Sequence, residues 1–249
     1  MIKFFRKIRY NLMETGKTSK YLKYAIGEII LVVIGILMAL QINNWNETRK
    51  SQQSVNISIA ALLTDLKQDT LQLSREIKGI DEDFDRLNNF RVRLSQPEAT
   101  IDTLKQIARY EYLPFFDPSN ELNRSTITSL LSSGQIENFD DDLKSKILNF
   151  NSEQLRTLRI MDQNVTIYLS NQTKYSEVIA VQSNNEALND YVVKGPLQEQ
   201  YWQNKTDNEL LDAMLTTITA KSIMYSIIKA HKERLKELTE VMISDLTAI

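Results

Sequence analysis

Apolar and polar positions divide the chain into one unbroken apolar run followed by segments of helical rhythm. In "KYAIGEIILVVIGILMALQINNWNE", residues 25–42 hold only Glu28 and Gln41 as polar side chains. At about 1.5 Å per residue, 18 residues span roughly 27 Å, close to a hydrocarbon layer of about 30 Å. Ile29 to Leu40 lack the polar stripe that a helix on the surface of a soluble protein carries. Tyr21 and Tyr24 at one end and Trp45 at the other fit interfacial aromatic belts. The exit reads Met38-Ala39-Leu40-Gln41-Ile42, without the small-residue cleavage pattern of a secretory signal. The run therefore predicts an uncleaved transmembrane helix.

Beyond Trp45 the rhythm changes to threes and fours. Val55, Ile59, Leu62, Leu66, Leu73, Ile77, Ile80, Phe84, Leu87 and Leu94 recur at this spacing, with Thr70 and Arg91 on the missing beats. This predicts a coiled-coil-like helix of about six heptads, continuing from the apolar run and ended by Pro97. Helices are expected at 99–112, at 125–133 with Gly134 as terminator, at 139–149, and at 152–182 with Leu155, Leu158, Met161, Val165, Tyr168, Tyr175 and Ile179 on one face. Gly195-Pro196 breaks the chain. Thr206 and Glu209 form a capping box for a last helix of about 40 residues, lined by Leu210, Met214, Ile218, Met224, Ile228, His231, Leu235, Leu238, Met242 and Leu246. The predicted fold is all-α: one N-terminal transmembrane helix, then an extracytoplasmic antiparallel bundle with long first and last helices. The boundaries are a cytoplasmic basic helix at 1–19, the span at 20–46 and a periplasmic bundle at 47–249.

Charge adds an orientation. Residues 1–24 carry seven Lys or Arg and one acid, whereas the whole chain balances 30 basic against 32 acidic residues. The basic flank precedes the span, which places the N-terminus in the cytoplasm. Ile2, Phe5, Ile8 and Leu12 recur at helical spacing beside Lys3, Arg6, Lys7 and Arg9, a pattern suited to anionic lipid headgroups. The overall balance gives no reason to expect nucleic acid as a partner.

At 100° per residue, Glu28, Gly35, Ala39 and Ile42 fall on one face of the helix. Small residues let helices approach closely, and a carboxyl in a span should face protein or water. Three roles stay open for Glu28: a contact within a homo-oligomer or with a partner span, an acid reaching the interface, or a proton or ion relay.

Candidate chemistry is sparse. The chain has no Cys and one His, His231, which excludes a thiolate nucleophile and a multi-histidine metal site. His231 lies on the apolar stripe of the last helix, where a pH switch and a satisfied or partly exposed core histidine are both compatible. Asp140–Asp142 suggest a cation, although acids at a helix start are commonly there for the macrodipole. Phe115 and Phe116, in "LPFFDPSN", form a candidate partner loop. No phosphate loop, nucleophile elbow or metal-ligand cluster is present, so no enzyme, cofactor or metal is expected.

The opening block "MIKFFRKIRYNLMETGKTSKYLKYAIGEIILVVIGILMALQINNWNE", with the later "LLSSGQIENFDDDLKSKILNF", resembles an uncharacterised family of membrane-anchored proteins of Bacteroidota-type bacteria. The resemblance implies an inner-membrane protein with a periplasmic domain and supplies no activity. The expected function is a non-enzymatic helical scaffold or interaction module, homo-oligomeric, with lipid and a membrane or periplasmic protein as partners. A sensor acting through a membrane partner, or a single-span subunit of an ion-driven complex, are the alternatives.

Overall fold

The structure is a computed structural model that describes Tyr10 and residues 18–114, 121–179 and 193–248; of residues 18–21 and 24 it describes only the backbone. Among the described residues every regular element is a helix. They are α1 (Thr18–Leu94), α2 (Ile101–Tyr110), α3 (Ser125–Ser133), a 3₁₀ turn (Gln135–Asn138), α4 (Asp141–Val178), α5 (Pro196–Asn204) and α6 (Asp207–Thr247). The chain divides into two compact units, Met1–Ile57 and Ser58–Ile249.

In the first unit, the 18 most apolar consecutive residues of α1 include none that is buried. Ile29, Ile30, Leu31, Val32, Val33, Ile34, Ile36, Leu37, Met38 and Leu40 are all exposed. This is one helix long and apolar enough to cross a membrane. The basic residues Lys3, Arg6, Lys7 and Arg9 lie outside the described residues.

The second unit is a bundle. α4 and α6 run antiparallel: Lys146 near the start of α4 meets Asp245 near the end of α6 at 3.1 Å, and Tyr175 and Val178 line a cleft with Ala213 and Thr217. α1 is also antiparallel to α6, since Glu76 pairs with Lys232 and Asp83 with Lys221. The core packs Ile80, Leu87 and Phe90 of α1, Leu104 and Ile107 of α2, Met161, Val165, Tyr168 and Tyr175 of α4, and Leu210 to Ile228 of α6.

Several helix ends follow from local chemistry. Gly134 has φ 72°, a left-handed conformation that suits glycine, and closes α3. Asp140 accepts the Leu143 N–H at 2.9 Å, so the first of the three successive acids is an N-cap. Asp141 and Asp142 occupy the first turn of α4. Thr206 and Glu209 form the expected capping box of α6.

Three expectations are corrected. The helices predicted at 139–149 and 152–182 are one helix, Asp141–Val178. The gap left between the two ranges holds Asn151, which, like Gln154, accepts a hydrogen bond from Arg124, at 2.7 and 3.0 Å respectively, so tertiary contacts use both without interrupting the helix. The buried face of this stretch carries Gln154 and Thr157, and Leu155 is exposed. The predicted break at Gly195-Pro196 opens a further helix, α5, with Pro196 at its first position. That position suits proline because its missing N–H would have no partner there. Trp202 buries α5 against the core, and Arg109 donates to Glu199 at 2.6 Å.

Candidate functional site

Two features stand out from ordinary bundle packing: the uncovered apolar part of α1, and a row of acids that the same helix turns into the core.

On the apolar part, Gly35, Ala39 and Ile42 are exposed, and Glu28 is partly exposed. A Cβ built at Gly35 meets nothing within 4 Å, so this face has room for close approach of another surface. Trp45 is exposed, with the Arg49 guanidinium 5.8 Å from its ring centroid. The side chains of Tyr21 and Tyr24 lie outside what the structure describes, as do Phe115 and Phe116 of the candidate partner loop. His231 is half-buried on α6.

The acid row escapes a search for apolar residues alone. Two heptad rows of α1 face the bundle. One is Leu66, Leu73, Ile80 and Leu87, all buried. The other is Leu62, Asp69, Glu76, Asp83 and Phe90, in which three successive beats are acids. The missing apolar beats are therefore filled by Asp69 and Phe90, both buried, rather than by Thr70 and Arg91.

Each acid has its own surroundings. Asp83 lies 3.4 Å from the Lys221 ammonium and accepts the Tyr225 hydroxyl. Lys221 is 2% exposed; its ammonium donates to the Leu113 carbonyl at 2.7 Å and lies 5.6 and 5.4 Å from the ring centroids of Tyr112 and Tyr225. Burial draws Lys221 below the ordinary lysine range, and Asp83 opposes the shift. Burial would raise Asp83, but Lys221, the Tyr225 hydroxyl and Arg86 together hold it below the usual carboxylate range. Burial pushes the phenols of Tyr112, Tyr175 and Tyr225 well upward and that of Tyr168 to about 12, so all four stay neutral at physiological pH. Two turns earlier on α1, Glu76 meets Lys232 at 2.6 Å.

Among the described residues no lysine pairs with Asp69. One of its oxygens accepts from the Asn123 backbone N–H at 2.7 Å and from the Asn123 side-chain amide at 3.1 Å. The other oxygen is buried without a hydrogen-bond partner among the described residues. One turn before it, Asp65 faces the start of α3, where it accepts from Thr126 N–H at 3.3 Å. Arg124, at the N-cap of α3, gives no side-chain cap, so Asp65 on another helix supplies the missing acceptor.

Chemically, the cluster fixes register. A buried lysine is tolerated when an acid faces it, and a shift of α1 by one turn would take the Asp83 carboxylate away from the buried Lys221 ammonium. Among the described residues no group of three or more His, Asp or Glu is placed to hold a metal ion. The legible sequence signal was the seven-residue spacing of Asp69, Glu76 and Asp83, with Lys221 and Lys232 on the stripe of the last helix.

A family model matches residues 28–192, more than half of the chain. The chain belongs to DUF6090, a family of unknown function. The DUF6090 match takes in Glu28, the apolar run from there onward and all three acids of the row. No curated protein and no solved structure matches the chain.

Proposed function

We propose that this protein is a single-pass, non-enzymatic helical scaffold of the bacterial inner membrane, with a cytoplasmic N-terminus and a periplasmic bundle that meets other proteins. One observation carries the reading: the most apolar stretch of the chain has no buried residue, whereas the less apolar helices of the second unit bury a core that includes Leu66, Leu73, Ile107, Ile147, Ile228 and Leu235. Water-exposed apolar surface of this extent is rare on soluble monomers, and lipid removes the penalty. The basic flank supports the orientation. The face shared by Glu28, Gly35, Ala39 and Ile42 supports self-association, because small residues permit close helix contact.

The absence of cysteine makes topology directly testable. A single cysteine at Glu98→Cys is expected to react with a membrane-impermeant maleimide in spheroplasts, and one at Lys17→Cys only after lysis. The opposite pattern, or release of the protein by carbonate, removes the proposal.

Self-association has a separate test. Glu28→Ala is expected to weaken proximity between copies, read by energy transfer in vesicles, by roughly fivefold, the equivalent of about 1 kcal/mol. Equal transfer in variant and wild type would leave Glu28 without a role in assembly.

A further inference from the structure

We propose that Asp69 works as a proton-operated clasp between α1 and the segment that leads into α3. Protonated, it holds the segment; ionised, it loosens it.

The geometry is that of a buried acid with no cation paired to it among the described residues. Asp69 is 0% exposed, and two N–H donors of Asn123 converge on a single oxygen. The second oxygen is buried with no partner among the described residues. The charged neighbours on α1 are acids, Asp65 and Glu76. The cations on the surrounding elements are engaged elsewhere. Arg124, in the clasped segment, donates to Asn151 and Gln154 of α4. On α6, Lys232 pairs with Glu76, and Lys236 lies 3.9 Å from Glu240. One heptad beyond Lys232 on α6 stands Thr239, which is buried and donates its hydroxyl to the Leu235 carbonyl. Glu121, at the start of the segment, is exposed and bonds through its carbonyl to Gln72.

Ionisation therefore places a charge in a dry site beside two other acids. Burial is the largest influence and raises the carboxyl; the Asn123 donors pull it down, and Asp65 and Glu76 add to the rise, leaving it at about 6. The native state thus binds a proton that the unfolded chain has already released near pH 4. Stability contributed by the site is present below pH 4 and falls as pH rises from about 4 to 6. Asp65, Asp69 and Gln72 together anchor residues 121–126, so the loss is felt first at the entry to α3.

The test is hydrogen exchange of the full-length protein in lipid nanodiscs from pH 5 to 7.5, corrected for intrinsic exchange rates. Protection of amides 121–133 is expected to fall at least fivefold across this range in the wild type. Asp69→Asn is expected to remove the pH response. Asn123→Ala, which deletes one donor to the carboxyl, is expected to move its midpoint to higher pH. A wild-type response flat from pH 5 to 7.5 overturns the proposal, as does a response that survives Asp69→Asn. Calcium-dependent protection at pH 7.5 that requires Asp69 also overturns it, by making the site a cation site.

Discussion

Asp83→Ala destabilises the bundle by about 3–5 kcal/mol, measured by chemical denaturation in detergent, the typical cost of removing one partner of a buried ion pair. The size follows from what the change leaves behind. Lys221 is almost wholly buried, and its ammonium would lose the carboxylate 3.4 Å away. The Tyr225 hydroxyl loses its acceptor in the same step. The converse change is milder. Lys221→Met leaves Asp83 partly exposed and beside Arg86, which can keep it charged. Combining Asp83→Ala with Lys221→Met is expected to recover most of the loss, because no uncompensated charge then remains buried. The wild-type pair also carries a pH signature. Asp83 is held below the usual carboxylate range, so its contribution is present above about pH 4 and is lost as the pH falls through its lowered native value. If Asp83→Ala costs less than about 1 kcal/mol, the pair is not the register lock described here.

How much of this was legible beforehand differs from element to element. The apolar run, the last helix with its capping box and the turn at Gly134 were readable, because each depends on residues close in sequence. The continuity of α4 was not. The predicted ranges leave a gap at 150–151, and the use of Asn151 on an unbroken helix shows only once Arg124, some thirty positions away, is seen to donate to it and to Gln154. α5 was missed although Gly195-Pro196-Leu197 is a reasonable helix start; its burial depends on Trp202 and on Arg109, far away in the chain. The acid row was hidden for a related reason. A hydrophobic pattern scores Asp69, Glu76 and Asp83 as outward positions, and only the lysines of α6 show that two of them belong inside. Within the candidate site, the shared face of Glu28, Gly35, Ala39 and Ile42 follows from the 100° step of one helix alone. What such a face would meet lies on another surface, and no pattern within a single chain encodes it.

Placing arginine at both Ile34 and Leu37 is expected to abolish membrane integration. An arginine near the centre of a span costs about 2.5–3.5 kcal/mol on the insertion scale, so two cost about 5–7 kcal/mol. The measurement is the fraction of protein that resists carbonate extraction, with expression followed by immunoblot. The pair is chosen because the rival arrangement gives the opposite outcome. Both residues are exposed, so neither has packing to lose if α1 stands in water at this point. There, arginine would improve solubility and leave the bundle of residues 58–249 as stable as before. In lipid, the same side chains must drag water or headgroups into the hydrocarbon layer or keep the helix out of it. Loss of carbonate resistance with retained helicity supports the span, whereas equal resistance in variant and wild type rejects it. Position decides the effect: in the proposed arrangement Arg49 and Lys50, just beyond Trp45, would lie where water and headgroups are available, and the helix would carry those cations without penalty.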